Sequence, residues 1–210
     1  MIGIVDMEVQ PDSMFHSTAL AESFPSGKRY NIIEDGFPSI DELQGIVVTG
    51  SSVGVYQKDE HGWIESAEGF IRNLRDKGIP TLGVCFGHQL INQALGGTVE
   101  KGETMHQIVE YEYKEDPLFD GVPPKIVALH GDYVIKESPE VDIIATADYC
   151  PIFATRHQTA PIWTIQGHPE LREQHLPDMK RTMGWTKTQH QFAETGGEEL
   201  IRNFMSLVEP

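Results

Sequence analysis

Along the first half of the chain, short apolar runs alternate with amphipathic stretches. Ile2-Gly3-Ile4-Val5 predicts a first strand. Residues 14–23 predict a helix, residues 29–33 a second strand, and Gly45-Ile46-Val47-Val48-Thr49 a third. Within 65–77, Phe70, Ile71 and Leu74 recur at helical spacing, and Lys77-Gly78 supplies a helix end. Residues 80–85 read as a buried strand. Residues 87–95 read as a helix that starts at once and stops at Gly96-Gly97.

Strands and helices joined by short connections mean βαβ units and a parallel sheet. Past Thr98 the rhythm changes. Residues 109–114, 125–129, 133–136, 143–146, 152–155 and 162–165 read as successive strands, an antiparallel or mixed extension of that sheet. A last helix is predicted over 198–208, with Leu200, Ile201, Phe204 and Leu207 on one face. No repeat, low-complexity tract or Pro/Gly/Ser-rich linker divides the chain, so residues 1–210 are expected to form one domain.

Composition narrows the class. At 39% hydrophobic and 23% charged residues, the 210-residue chain can build a core. No stretch approaches the ~18 apolar residues that a membrane span needs. The N-terminus lacks the basic start and apolar core of a signal peptide. Two cysteines are too few for a disulfide scaffold, which points to a reducing cytoplasm. A net charge of −16 argues against nucleic acid as a partner, because phosphate contacts need clustered Lys and Arg. Such acidity keeps a protein soluble and is compatible with a salt-rich cytoplasm.

The candidate chemistry begins at Gly83-Val84-Cys85-Phe86-Gly87-His88-Gln89. A Gly-x-Cys-x-Gly pattern between a strand and a helix is the cysteine form of a nucleophile elbow. The glycines let strand and helix approach closely. The helix start offers free N–H groups and a positive dipole end, both favourable to a thiolate, and leaves the Phe86 N–H available to an oxyanion. A lone cysteine is more often a small buried hydrophobe; the flanking glycines reverse that reading for Cys85. Cys150, followed by Pro151, has no such frame and reads as structural.

A thiol nucleophile needs a base, and the base needs an orienting partner. Of nine histidines, His168 stands out, because Gln166-Gly167-His168-Pro169-Glu170 follows the strand predicted at 162–165. Sheets present reactive groups at the carboxyl ends of their strands. Pro169 biases His168 toward extended backbone, where positions i and i+2 share a side. Glu170 can then reach the imidazole while the ring faces Cys85.

These two segments resemble the signatures of the class I, triad-type glutamine amidotransferases, in the correct order. The resemblance runs from about Ile2 to Glu170 and resumes in the last helix. It implies a flavodoxin-like α/β three-layer sandwich. It also implies attack by Cys85 on the glutamine side-chain carbonyl, a γ-glutamyl thioester, loss of ammonia and release of glutamate by water. His168 would carry the protons and Glu170 orient it; no cofactor or metal is implied. Thr49-Gly50-Ser51-Ser52 corresponds to the family's oxyanion loop, with the backbone N–H of Gly50 joining that of Phe86 and Ser51 beside the substrate. Its Thr-Gly-Ser form resembles a stand-alone branch similar to the amidotransferase part of GMP synthase, a branch that includes γ-glutamyl peptidases of plants. Gln89 matches a substrate-binding position. Gly131 and Asp132, in His130-Gly131-Asp132, match the segment whose backbone holds the substrate's α-amino and α-carboxylate groups, although Leu129 stands where the family often has Ser or Asn.

Two functions fit this triad: a glutaminase feeding ammonia to a separate synthetase subunit, or a stand-alone hydrolase of γ-glutamyl small molecules. A non-catalytic module on the same fold would be indicated by a lost triad residue, and none is lost. Residues 171–194 are longer than the resemblance leads one to expect. They read as a surface insertion, with a lid or a partner surface as alternatives.

Overall fold

The computed structural model describes residues 1–185 and 188–208. Thr186 and Lys187, within the 171–194 stretch, and residues 209–210 lie outside them. The chain runs β1 (Ile2–Asp6), α1 (Met14–Glu22), β2 (Lys28–Asn31), β3 (Gly45–Val48), α2 (Trp63–Lys77), β4 (Thr81–Val84) and α3 (Phe86–Ala94). Then follow β5 (Thr98–Glu110), β6 (Glu112–Tyr113), β7 (Lys125–Lys136), β8 (Val141–Ala147), β9 (Cys150–His157), β10 (Ile162–Ile165), α4 (Leu176–Thr182) and α5 (Gly197–Val208).

The main sheet has the order β2-β1-β3-β4-β10-β9-β8-β6. Its first five strands are parallel, and β9, β8 and β6 continue it antiparallel. The parallel part has the doubly wound flavodoxin order. Because side chains alternate across a strand, each face of the sheet feeds its own core. Ile4, Val47, Leu82 and Val84 pack on one face with Leu20 of α1 and Leu200 and Phe204 of α5. Val5, Ile46 and Val48 pack on the other with Ile64, Ile71 and Leu74 of α2 and Leu90 and Ile91 of α3. The result is the expected mostly parallel sheet between helical layers. Gly78, at φ 64°, ends α2 in the left-handed conformation that glycine adopts at least cost.

Two expectations about the strands need correction. Residues 125–129 and 133–136 are not separate strands: β7 runs unbroken through His130-Gly131-Asp132. The strand expected at 109–114 is instead the end of β5, which begins eleven residues earlier, at Thr98, and is followed by the short β6. β5 and β7 pair antiparallel as a two-stranded ribbon of their own, outside the main sheet. This ribbon carries Leu129–Asp132 to the edge where β1, β3, β4 and β10 end.

Candidate active site

Four parallel strands end on one edge of the sheet, and each delivers a residue there: Glu8 after β1, Gly50 after β3, Cys85 after β4 and His168 after β10. The Cys85 N–H still donates to Ile165 O at 2.9 Å, so the sheet's hydrogen bonding extends into the turn. Cys85 then takes φ 53° and ψ −105° as the N-cap of α3. Among the described residues no other non-glycine has positive φ. Strain of this kind costs about 1–3 kcal/mol and gathers at functional sites.

The flanking glycines are required by space. A Cβ on Gly83 would stand 2.7 Å from Gly87 O, and one on Gly87 would stand 2.5 Å from Val48 O. Phe86 opens α3, and the N–H of a helix's first residue has no partner within the helix. The Phe86 ring is buried and packs 5.7 Å from that of Trp63.

His168 is held from both ends. Its backbone N–H donates to Val127 O at 2.8 Å, which fastens the segment after β10 to β7. Its Nδ1 lies 2.7 Å from Glu170 Oε1, and its Nε2 lies 3.3 Å from Leu129 O. The Cys85 thiol reaches the same carbonyl at 3.6 Å. Both His168 and Glu170 are buried. Burial alone would depress the imidazole, but the charges of Glu170 and Cys85 and the hydrogen bonds to them outweigh it and hold His168 well above its ordinary value. Cys150 behaves differently: burial pushes its thiol up to about 12, as suits a structural residue.

A cleft of about 430 Å³ opens over Cys85. Ser51, Gln89, Gly131 and Asp132 line it together with Cys85, so the side chains singled out from sequence converge. Gln89 Nε2 donates to Asp132 O at 3.0 Å. Gly50 lies deeper, where an added Cβ would stand 3.4 Å from His168 Cε1. Asp132 accepts from Tyr56 Oη at 3.0 Å. Burial, with the neighbouring Asp132 charge, pushes the Tyr56 phenol up to about 12, and burial raises the Asp132 carboxyl. His130 is fully occupied, with Nδ1 3.1 Å from Asp132 O and Nε2 3.1 Å from Tyr149 Oη. Among the described residues no group of His, Cys, Asp or Glu could hold a metal ion.

Several neighbours escaped the sequence reading. Gln166 Nε2 lies 3.8 Å from Cys85 Sγ, while its Oε1 accepts from Gln89 at 3.3 Å. Its position two residues before His168 was a usable signal. Thr182 and Met183 line the cleft from the 171–194 stretch. Met179, on the same short helix, is buried with Ile108, Val127 and Leu129. Glu8 and His16 are also buried beside the site.

Comparison with known proteins shows what the whole chain is similar to. A glutamine-hydrolyzing GMP synthase subunit of Pyrococcus abyssi is 34% identical over 146 residues, 68% of this chain and 67% of that protein. Its counterpart in Methanocaldococcus jannaschii is 35% identical over 62% of this chain and 66% of its own length. The glutamine-hydrolyzing GMP synthase of Lactobacillus delbrueckii is 37% identical over 61% of this chain, but only 25% of that longer protein is covered. The matches thus span about two thirds of the archaeal relatives and a quarter of the bacterial one. In fold, a Thermotoga maritima glutamine amidotransferase superposes with a TM-score of 0.78 at 16% identity, over 99% of this chain and 96% of that one. A glutamine amidotransferase from Methylobacillus flagellatus gives 0.66 at 17% identity, over 100% and 89%. The family model for class I glutamine amidotransferases matches residues 18–179, and this chain belongs to that family.

Proposed function

We propose that this chain hydrolyses the side-chain amide of glutamine. One observation carries the reading: a strained cysteine at a strand-to-helix turn shares its carbonyl neighbour, Leu129, with a buried histidine paired to Glu170. The Cys85 thiolate attacks the amide carbon, and the carbonyl electron pair moves onto oxygen. The N–H groups of Gly50 and Phe86 receive that oxyanion; one such donor is commonly worth about 3 kcal/mol. Collapse expels the amide nitrogen, which takes a proton from His168 and leaves as ammonia. Water, deprotonated by His168, then cleaves the γ-glutamyl thioester and releases glutamate. Glu170 keeps the ring oriented throughout. Ser51, Gln89, Gly131 and Asp132 hold the amino-acid end of the substrate. The archaeal relatives, named as subunits of GMP synthase, support a separate synthetase that consumes the ammonia.

A second reading is favoured by the size of the cleft. Lys101 and Met183 line the cleft of about 430 Å³ together with the residues named above, and a γ-glutamyl dipeptide would place a leaving group larger than ammonia within it.

Glutamate release by the purified chain decides between them, with glutamine and a γ-glutamyl dipeptide as separate substrates and Cys85→Ala as the blank. Release from glutamine, strengthened by the synthetase, supports the glutaminase. Release from the dipeptide alone supports the peptidase. Activity that survives Cys85→Ala refutes both.

A further inference from the structure

Glu8 follows β1 and His16 lies on α1, yet the two meet underneath the loop that follows β3. His16 Nε2 lies 2.8 Å from Glu8 Oε2, and both residues are 2% exposed. The other carboxylate oxygen of Glu8 accepts three bonds: Val9 N–H at 2.8 Å, Gln10 N–H at 2.7 Å and Ser52 Oγ at 2.5 Å. Burial by itself would raise this carboxyl, but the bonds and charge it receives, His16 first, hold it below its ordinary value. A buried carboxylate with this many donors is fixed in place.

Its tether to Ser52 has a counterpart at the other end of the loop. Met7 N–H donates to Thr49 Oγ1 at 2.9 Å, and that hydroxyl donates to Gly50 O at 2.9 Å. Gly50 and Ser51 are thus strung between two anchors on one short segment after β1. The His16 ring completes the cage. Its centroid is 5.8 Å from that of His168, edge to face. A Cβ on Gly50 would fall 3.2 Å from His16 Cε1, 3.3 Å from its Nδ1 and 3.4 Å from His168 Cε1. Among the described residues His16 Nδ1 has no hydrogen-bond partner, so the ring's tie to Glu8 is what orients it.

We propose that Glu8 and His16 are positioning residues that fix the Thr49–Ser52 loop, and so the Gly50 N–H, where the oxyanion of an acyl-transfer step develops. The inference rests on the reading of Cys85 as nucleophile and Gly50 as oxyanion donor. A donor held in place before reaction costs no reorganisation when charge develops. A loop freed of one anchor gives up that advantage without touching the thiol.

Two reagents separate these effects on the intact chain. In acetylation by p-nitrophenyl acetate, the Cys85 sulfur bonds to the carbonyl carbon through an oxyanion, and p-nitrophenolate leaves with the electron pair of the broken C–O bond. In alkylation by iodoacetamide, the sulfur bonds to a saturated carbon, iodide leaves, and no oxyanion forms. In Glu8→Gln and His16→Gln the acetylation rate is expected to fall about tenfold or more, while alkylation stays within about twofold of the parent. Ser52→Ala removes one anchor while leaving the Glu8–His16 contact and the two backbone bonds to Glu8 in place, and is expected to move the same ratio in the same direction, by about threefold. An unchanged ratio in all three variants overturns the proposal. Equal losses in both rates overturn it as well, because the pair would then act on the thiol or on the fold. Neither reagent is a γ-glutamyl compound, so a parent chain inert toward glutamine would sink the functional reading and leave this test in force.

Discussion

Nε2 of His168 faces the carbonyl oxygen of Leu129 at 3.3 Å. A carbonyl can only accept a hydrogen bond, and a Glu170 carboxyl oxygen lies 2.7 Å from the opposite ring nitrogen. With an acceptor facing each nitrogen, the arrangement favours the protonated ring, in line with its raised proton affinity. A positive His168 beside Cys85 favours the thiolate. His168→Gln is expected to slow alkylation of Cys85 by iodoacetamide at pH 7 by about tenfold or more. An unchanged rate would refute the pairing of ring and thiol. In turnover, His168→Gln is expected to cost more than Glu170→Gln, since proton transfer is lost in the first and orientation alone in the second.

The backbone of Cys85 yields a stability prediction that does not depend on the chemistry. At φ 53° and ψ −105° a side chain is strained, and glycine there is not. Cys85→Gly is expected to be more stable than Cys85→Ala by about 1 kcal/mol, the relief of strain outweighing the entropy that glycine adds to the unfolded chain. Urea unfolding of the two variants measures the difference. Equal midpoints would mean that the turn stores no strain.

What could be read from the chain in advance was what is local. Gly83-Val84-Cys85-Phe86-Gly87 carries its own reason for a tight turn, and Gly167-His168-Pro169-Glu170 its own reason for an extended pair, so both were recognisable without a partner. The strand expected at 162–165 is β10 residue for residue, because a short apolar run sits between turn signals. The β5–β7 ribbon was hidden for the opposite reason. Glu100-Lys101-Gly102-Glu103-Thr104 is exposed and polar, so no apolar pattern marks it as strand. His130-Gly131-Asp132 looks like a turn although β7 continues through it, with His130 paired to Met105, Asp132 to Lys101 and a register shift between them. Glu8 reaches Ser52 across 44 positions, and His16 gains its meaning only beside Gly50 and His168. Contacts of that kind leave no mark in the pattern of either segment.

Two histidines near the site set the acid side of the stability curve. His88 is buried, with Nδ1 2.7 Å from Thr164 Oγ1 and Nε2 3.2 Å from Ile152 O. Burial pushes His88 down to about 3 and His130 down to about 4. Both titrate near 6.5 in the unfolded chain. Between those values the unfolded chain binds protons that the folded one refuses, so stability falls as pH drops. The slope is at most about 1.4 kcal/mol per pH unit for each histidine. From pH 7 to pH 5 the loss attributable to each is at most about 2 kcal/mol. His168, raised rather than lowered, works in the other window. Its contribution is fully present below 6.5 and is lost as pH rises through its folded value. Urea unfolding at pH 5, 6, 7 and 8 is therefore expected to show greatest stability near neutrality, with a shallower acid limb in His88→Gln. A flat response from pH 7 to pH 5 would contradict the buried neutral histidines.

The 171–194 stretch offers the last test. An insertion resting on the surface would tolerate truncation of any of its side chains. Met179 is instead fully buried against Ala19, Ile108, Val127, Leu129 and Leu171. Removing a buried side chain of this size costs about 2–5 kcal/mol. Leu129 is the residue whose carbonyl meets both Cys85 and His168, and Thr182 and Met183, a few residues beyond Met179, form part of the cleft wall. Met179→Ala is therefore expected to lower the urea midpoint and also to raise KM for glutamine by about threefold or more, because the wall and the Leu129 carbonyl lose a common support. Met183→Ala, at a partly buried position, is expected to change KM with less loss of stability. If Met179→Ala lowers stability and leaves KM as it was, α4 braces the fold alone and has no part in shaping the cleft.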